Sequence, residues 1–371
     1  MTNSNPSIKR NNHFKNIAVI GGGVIGSTTA LQLATLGYEV EIIDPELNQS
    51  TNFSKLLTGT QASLGVLMGN VFRRNTGRSW ALRQRSMELW PKLISKLSTQ
   101  TSPLKLYTPL VQLARSEHEA TLMNELIIKR SHLGLEHLTN HSPTKVSRLW
   151  PKAKYGGLIS NNDGRINPLN LMVCLMKALD KYKVSKVNRK VSSLERLPSS
   201  QNKRWQLQLD NKRILQKDCV VICAAIGSEA LLKPLGHHYP IESVLGQAIR
   251  LTIKSDFKNW SGWPAVLINH GVNLIPENTN QLLIGATLEP GITTSNTALT
   301  TMREMHGSSP EWMQFASIEN KWTGIRGKPS NEPAPLLKNL EQGLILNTAH
   351  YRNGILLAPA CAEWVGYELI K

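Results

Sequence analysis

Two groups of residues, near opposite ends of the 371-residue chain, have types and spacing able to do chemistry. The first is Gly21-x-Gly23-x-x-Gly26, followed by Asp44. Glycines so spaced allow a tight turn, let backbone N–H groups approach a pyrophosphate without a Cβ in the way, and bring a helix close to a strand. A carboxylate at Asp44 can accept hydrogen bonds from ribose hydroxyls and argues against a 2′-phosphate there. The second group lies in "TAHYRNGILLAP", Thr348 to Pro359, where Arg352 and Gly354 immediately precede an apolar run. That cation needs an anion the segment does not supply.

The elements that must position these residues are legible at the N-terminal end. Ile17 to Tyr38 is uncharged and long enough by count alone to cross a bilayer. Three consecutive glycines split it, and Ser27, Thr28, Thr29, Gln32 and Thr35 interrupt it, so no membrane span is expected. It parses as strand Asn16 to Ile20, turn Gly21 to Gly26, helix Val24 to Leu36 stopped by Gly37, and a second strand from Tyr38 to Asp44. In such a βαβ unit the helix N-terminus adds partial positive charge beneath a phosphate. The spacing fits a dinucleotide and leaves NAD and FAD both open.

Further along, Trp80 to Leu97 reads as a helix with Leu82, Met87, Leu89, Trp90, Leu93 and Leu97 on its apolar stripe. Ser116 and Glu119 form a candidate capping box, and Asn167 a cap for the helix beginning at Pro168. "DCVVICAAIGS" reads as a buried strand expected at the edge of a nucleotide-binding sheet. From Leu245 to Leu288 short apolar segments alternate with turn residues, as in an antiparallel sheet, with "NTNQ" as a hairpin loop. Helices are expected over Asn296 to Ser308 and Pro310 to Glu319, and a last one over Ala360 to Ile370 with Pro359 in its first turn.

The formal charge of +17 comes from 43 Lys and Arg against 26 Asp and Glu. Its densest cluster is Arg73, Arg74, Arg78, Arg83 and Arg85, which reads as a solvated helix face. Without an aromatic-interleaved stripe or zinc spacing it makes a weak case for a nucleic-acid partner. Cys174, Cys219, Cys223 and Cys361 are too few and scattered for a disulfide framework, and no metal site follows from them. Residues 1–14 are expected to be a disordered tail. They lack the apolar core of an export signal, so the default location is the cytoplasm.

The glycine turn together with "GRINPLNLMVCLMKAL", "VSSLER", "VVICAAIGS", "LLIGATLE", "WTGIRGKP" and "HYRNGILLAPA" resembles the D-amino-acid oxidase superfamily of FAD-dependent oxidoreductases. Within it the chain is most similar to the glycine-oxidase-like branch associated with thiamine biosynthesis. The resemblance runs from about Ile17 to the C-terminus. It implies an α/β (α+β overall) chain in which a Rossmann-like FAD-binding domain, residues 15–75, 144–227 and 322–371, is interleaved with an antiparallel-sheet substrate domain, residues 76–143 and 228–321.

The resemblance also implies non-covalent FAD, held by Gly21, Gly23, Val24, Ile25, Gly26, Asp44, Ser63, Gly65, Val191, His350, Arg352, Asn353, Gly354, Ile355 and Leu356. Arg326, Arg352 and Asn273 would meet a small amine or amino-acid substrate. A hydride would pass from the substrate Cα to flavin N5, with oxygen or another acceptor taking the electrons. The family's usual Arg-Pro reads Arg326-Gly327 here, and its substrate tyrosine is replaced by Asn273, which puts glycine itself in doubt as the substrate. The altered motif leaves two alternatives, an FAD enzyme acting on a modified tRNA base and a non-catalytic flavoprotein.

Overall fold

A computed structural model describes residues 14–47, 56–138, 153–253, 260 and 262–371. The expected tail falls almost wholly outside them, as does the expected boundary at 143–144. The first strand, Asn16–Ile20, pairs in parallel with Glu39–Ile43 on one side and Cys219–Ile222 on the other. The whole sheet runs Leu336–Glu341, Leu344–Thr348, Cys219–Ile222, Asn16–Ile20, Glu39–Ile43, Ser185–Val187. Cys219–Ile222 is therefore an interior strand and not the expected edge. All four of its residues are buried, as a strand covered on both faces requires.

Helices Val24–Thr35, Arg78–Leu97, Pro168–Lys181 and Gly354–Ile370 share one apolar core with one face of this sheet. Against the other face lies a three-stranded antiparallel sheet made of Val191–Arg196, Trp205–Leu209 and Ile214–Lys217. The last helix starts at Gly354, earlier than expected, and Pro359 sits inside it. Proline removes one helical hydrogen bond and crowds the preceding turn. Burial compensates, because Ile355 to Ala362 are all buried and Trp90 donates its Nε1 proton to the Leu356 carbonyl at 3.0 Å.

A nine-stranded, mostly antiparallel sheet forms the other half. Its longest pairing joins Ile241–Thr252 to Ser317–Pro329, placing Arg326 opposite Val244 and Gly324 opposite Gly246. Gly157–Ser160 and the end of Ser317–Pro329 belong to this sheet, although their sequence positions fall in segments expected with the FAD-binding domain. Val272–Glu277 and Gln281–Gly285 form the expected hairpin. The two halves are fastened by the segment after residue 56: Leu57 N–H donates to Thr323 O at 2.9 Å, and Trp322 Nε1–H to Ala62 O at 3.1 Å.

Three local expectations change. The Ser116 hydroxyl caps Glu119 N–H at 3.2 Å, but the Glu119 carboxylate binds the Arg115 N–H at 3.0 Å instead of closing the box, drawn there by the guanidiniums of Arg115 and Arg73. The helices expected at 296–308 and 310–319 are Asn296–Glu304 and Glu311–Gln314, the first ended by Met305 in a left-handed conformation. The buried stripe of Arg78–Leu97 is Arg83, Ser86, Trp90 and Leu97, so polar residues occupy part of the face expected to be apolar. Replacing Trp90 by alanine should cost about 3–5 kcal/mol of stability, read from the denaturant midpoint, because it removes a fully buried ring and leaves a cavity.

Candidate functional site

The glycine turn folds as its spacing requires. Gly21 has φ +109°, and an added Cβ would lie 2.5 Å from Cys223 O; at Gly26 it would lie 1.8 Å from Gly21 O, so only glycine lets helix and strand approach. Asp44 reaches back to accept Gly22 N–H at 2.7 Å and also accepts Glu46 N–H at 2.7 Å, which fixes its carboxylate at the strand end.

A cavity of about 1640 Å³ opens from this turn and runs between the two halves. That exceeds the roughly 300–1,000 Å³ of an ordinary small-molecule pocket and gives room for a cofactor plus a substrate. Gly21, Gly23, Val24, Ile25, Asp44, Ser63, Gly65, Val191, Asn273, Arg326, His350, Arg352, Asn353, Gly354 and Ile355 all line it. Two expected residues do not. Gly26 packs helix on strand, and Leu356 is 2% exposed within the apolar core.

Arg326 is largely buried on the strand paired with Ile241–Thr252. Its Nη1 protons reach Leu245 O at 3.4 Å and Thr287 O at 3.2 Å. Gly246 lies beneath it, where a Cβ would come within 2.3 Å of the guanidinium nitrogens. Burial first, then the charge of Arg352, lowers the Arg326 pKa, and the group remains a cation. Asn273 spends an amide proton on Gly285 O at 2.9 Å.

Arg83 comes from the cluster that reads as a solvated face, yet it is 8% exposed and lines the same cavity. It donates to Met68 O and to Asn353 Oδ1, both at 3.0 Å, with its guanidinium carbon 4.0 Å from the centre of the Phe72 ring. Burial is the main cause that lowers its pKa to about 10; Asp163 opposes the shift and Arg352 adds to it. Two others of the cluster are engaged too: Arg85 forks onto Glu363 at 2.7 Å, and Arg78 donates to Pro335 O at 2.6 Å. Arg83 shares a helical face with Ser86 and Trp90, the one sequence signal that could have placed it inside.

Asp163 was also missed. Its carboxylate is fully buried and accepts the N–H groups of Gly69, Asn70 and Val71 at 3.0, 3.0 and 2.9 Å, pinning the segment that leads to Phe72. Among the described residues, none of Arg83, Arg326 and Arg352 has a carboxylate within ion-pairing distance.

The family model described as FAD dependent oxidoreductase matches residues 16–368. The chain belongs to that family. The glycine oxidase of Pseudomonas putida is 26% identical over 359 residues, covering 94% of this chain and 93% of that protein. The bifunctional protein ThiO/ThiG of a Nostoc species is 25% identical over 376 residues, covering 96% of this chain and 53% of that protein. The crystal structure of glycine oxidase from Geobacillus kaustophilus superimposes with a TM-score of 0.79 at 22% identity, over 96% of this chain and 95% of that one.

FAD suits the cavity of this family member on structural grounds. At Gly23 an added Cβ would meet only Thr60 Oγ1, at 3.1 Å, and at Gly354 only His350 Cβ, at 4.0 Å. These positions are open toward the cavity, where a cofactor needs backbone access. The buried Nε2 of His350 has no protein partner. Among the described residues no helix is long and apolar enough to cross a membrane.

Burial pushes the His350 pKa down to about 3, so the ring is neutral in the folded protein. The unfolded chain binds a proton that the native one refuses. Stability is thus full above about pH 6.5 and falls as pH drops toward about 3. The variant His350→Asn should lose less stability than the wild type between about pH 7 and about pH 4, measured by denaturant titration at each pH.

Proposed function

We propose that this FAD-dependent oxidoreductase oxidises the C–N bond of a small amino acid or amine. The observation that carries this reading is the pair Arg326 and Arg352, which line one cavity and, among the described residues, have no carboxylate within ion-pairing distance. A buried cation left unpaired is costly, and an anionic substrate group offsets that cost. The names of the glycine oxidases among its relatives agree with it.

Gly21, Gly23, Val24, Ile25 and the helix end they form would take the pyrophosphate. Gly26 would keep that turn close to its strand, and Asp44 and Val191 would receive the adenosine end. Ser63, Gly65, His350, Arg352, Asn353, Gly354 and Ile355 would surround the ring end, with Leu356 holding the helix in the core. Once bound, FAD supplies the hydride acceptor, N5. The protein's own part is to orient and exclude. The guanidinium of Arg326, fixed on two carbonyls by Nη1, keeps its remaining protons for a carboxylate fork. Gly246 leaves the space that this guanidinium occupies. Arg352, more exposed, adds positive charge beside the carboxylate or the ring, and Asn273 borders the substrate end. The terminal helix directs its positive end at the same region. The electrons leave to oxygen or to another acceptor.

The purified protein should show a flavin spectrum that bleaches anaerobically with at least one member of a panel of amino acids and secondary amines; a flavin that no member reduces would overturn the proposal. Against the active substrate, Arg326→Ala should raise KM about 10- to 100-fold, the range for losing a hydrogen bond to a charged group. Arg352→Ala should slow stopped-flow flavin reduction by more than it lowers FAD content, and an unchanged reduction rate would contradict its role.

A further inference from the structure

Asn353 is the residue before the first turn of Gly354–Ile370, and asparagine is among the best residues for capping a helix by accepting a first-turn N–H. It makes no such cap here. Its backbone sits at φ −116°, ψ 18°, and its side-chain oxygen accepts the Nη2 proton of Arg83 at 3.0 Å. Arg83 is held by a second bond to Met68 O and by the Phe72 ring, so it is a fixed donor from a different helix. The first turn of the terminal helix therefore takes no acceptor from its own cap residue, and its Gly354 and Ile355 line the cavity together with His350, whose buried Nε2 has no partner.

We infer that Arg83 is a positioning residue, which draws the Asn353 side chain away from its own helix and so keeps the positive end of that helix open for the bound flavin ring. The inference rests on the proposed placement of the ring against this helix. A helix terminus capped by its own side chain presents fewer free N–H groups to an outside anion. The reduced ring is the more anionic state, so an open terminus favours reduction. If Arg83 is removed, Asn353 can rotate to accept from its own first turn, and the ring loses those donors.

The test compares the flavin midpoint potential of holoprotein carrying Arg83→Ala with that of Arg83→Ala/Asn353→Ala, by dye equilibration. Both variants lack the arginine charge, so their difference isolates the Asn353 side chain. Arg83→Ala should shift the potential to a more negative value, and the double variant should recover about tenfold in the two-electron equilibrium, equivalent to about 30 mV. Should Arg83→Ala not fold with FAD, Arg83→Lys with and without Asn353→Ala makes the same comparison. Equal, shifted potentials in single and double variants would overturn the inference and leave the ring placement standing. A single variant with the wild-type potential would count against both.

Discussion

A buried guanidinium without a carboxylate is the constraint on which this molecule turns. Taking such a charge out of water costs several kcal/mol unless something opposes it. Here Arg83 is buried and Arg326 largely so, near the exposed Arg352; burial first, and then the charge of Arg352, lowers the pKa of both. Protein dipoles absorb part of the cost, since each buried fork ends on backbone carbonyls or an amide oxygen. What remains is uncompensated positive charge where Arg83, Arg326 and Arg352 line the cavity, and the proposed chemistry is the use made of it.

Two sheets have to be in register for that potential to exist. The pairing of Ile241–Thr252 with Ser317–Pro329 sets Arg326 beside Gly246, so a one-residue slip would turn the guanidinium to the opposite face. Strand Leu344–Thr348 fixes the other side. It inserts in parallel next to Cys219–Ile222, delivering His350 and Arg352 to the end of the sheet where the glycine turn also lies. The segment from Leu57 to Phe72 bridges the halves, tied to Thr323 and Trp322 at one end and to Asp163 and Arg130 at the other.

Much of this was legible in the sequence, because some requirements are local. The glycine spacing, the alternation of short strands and the cap at Asn167 are each written within a dozen residues, and the C-terminal motif carries the resemblance by its residue order. What escaped notice depends on partners distant in sequence. Nothing around Arg83 announces that its side chain will meet Asn353, and nothing near Asp163 points to the N–H groups of residues 69–71. Pro359 misplaced the start of the last helix, since proline is read locally as a first-turn residue while buried packing can hold it farther inside. The interior position of Cys219–Ile222 likewise depends on the later arrival of Leu344–Thr348.

That late arrival has a consequence for how the protein is made. The glycine turn is made before the residues from the far end of the family match that also wall its cavity, and the sheet stays two strands short until Leu336–Glu341 and Leu344–Thr348 emerge. A nascent chain can thus form its βαβ unit early and still have no closed place for a cofactor. A closed cofactor site therefore requires that both of these late strands have been made.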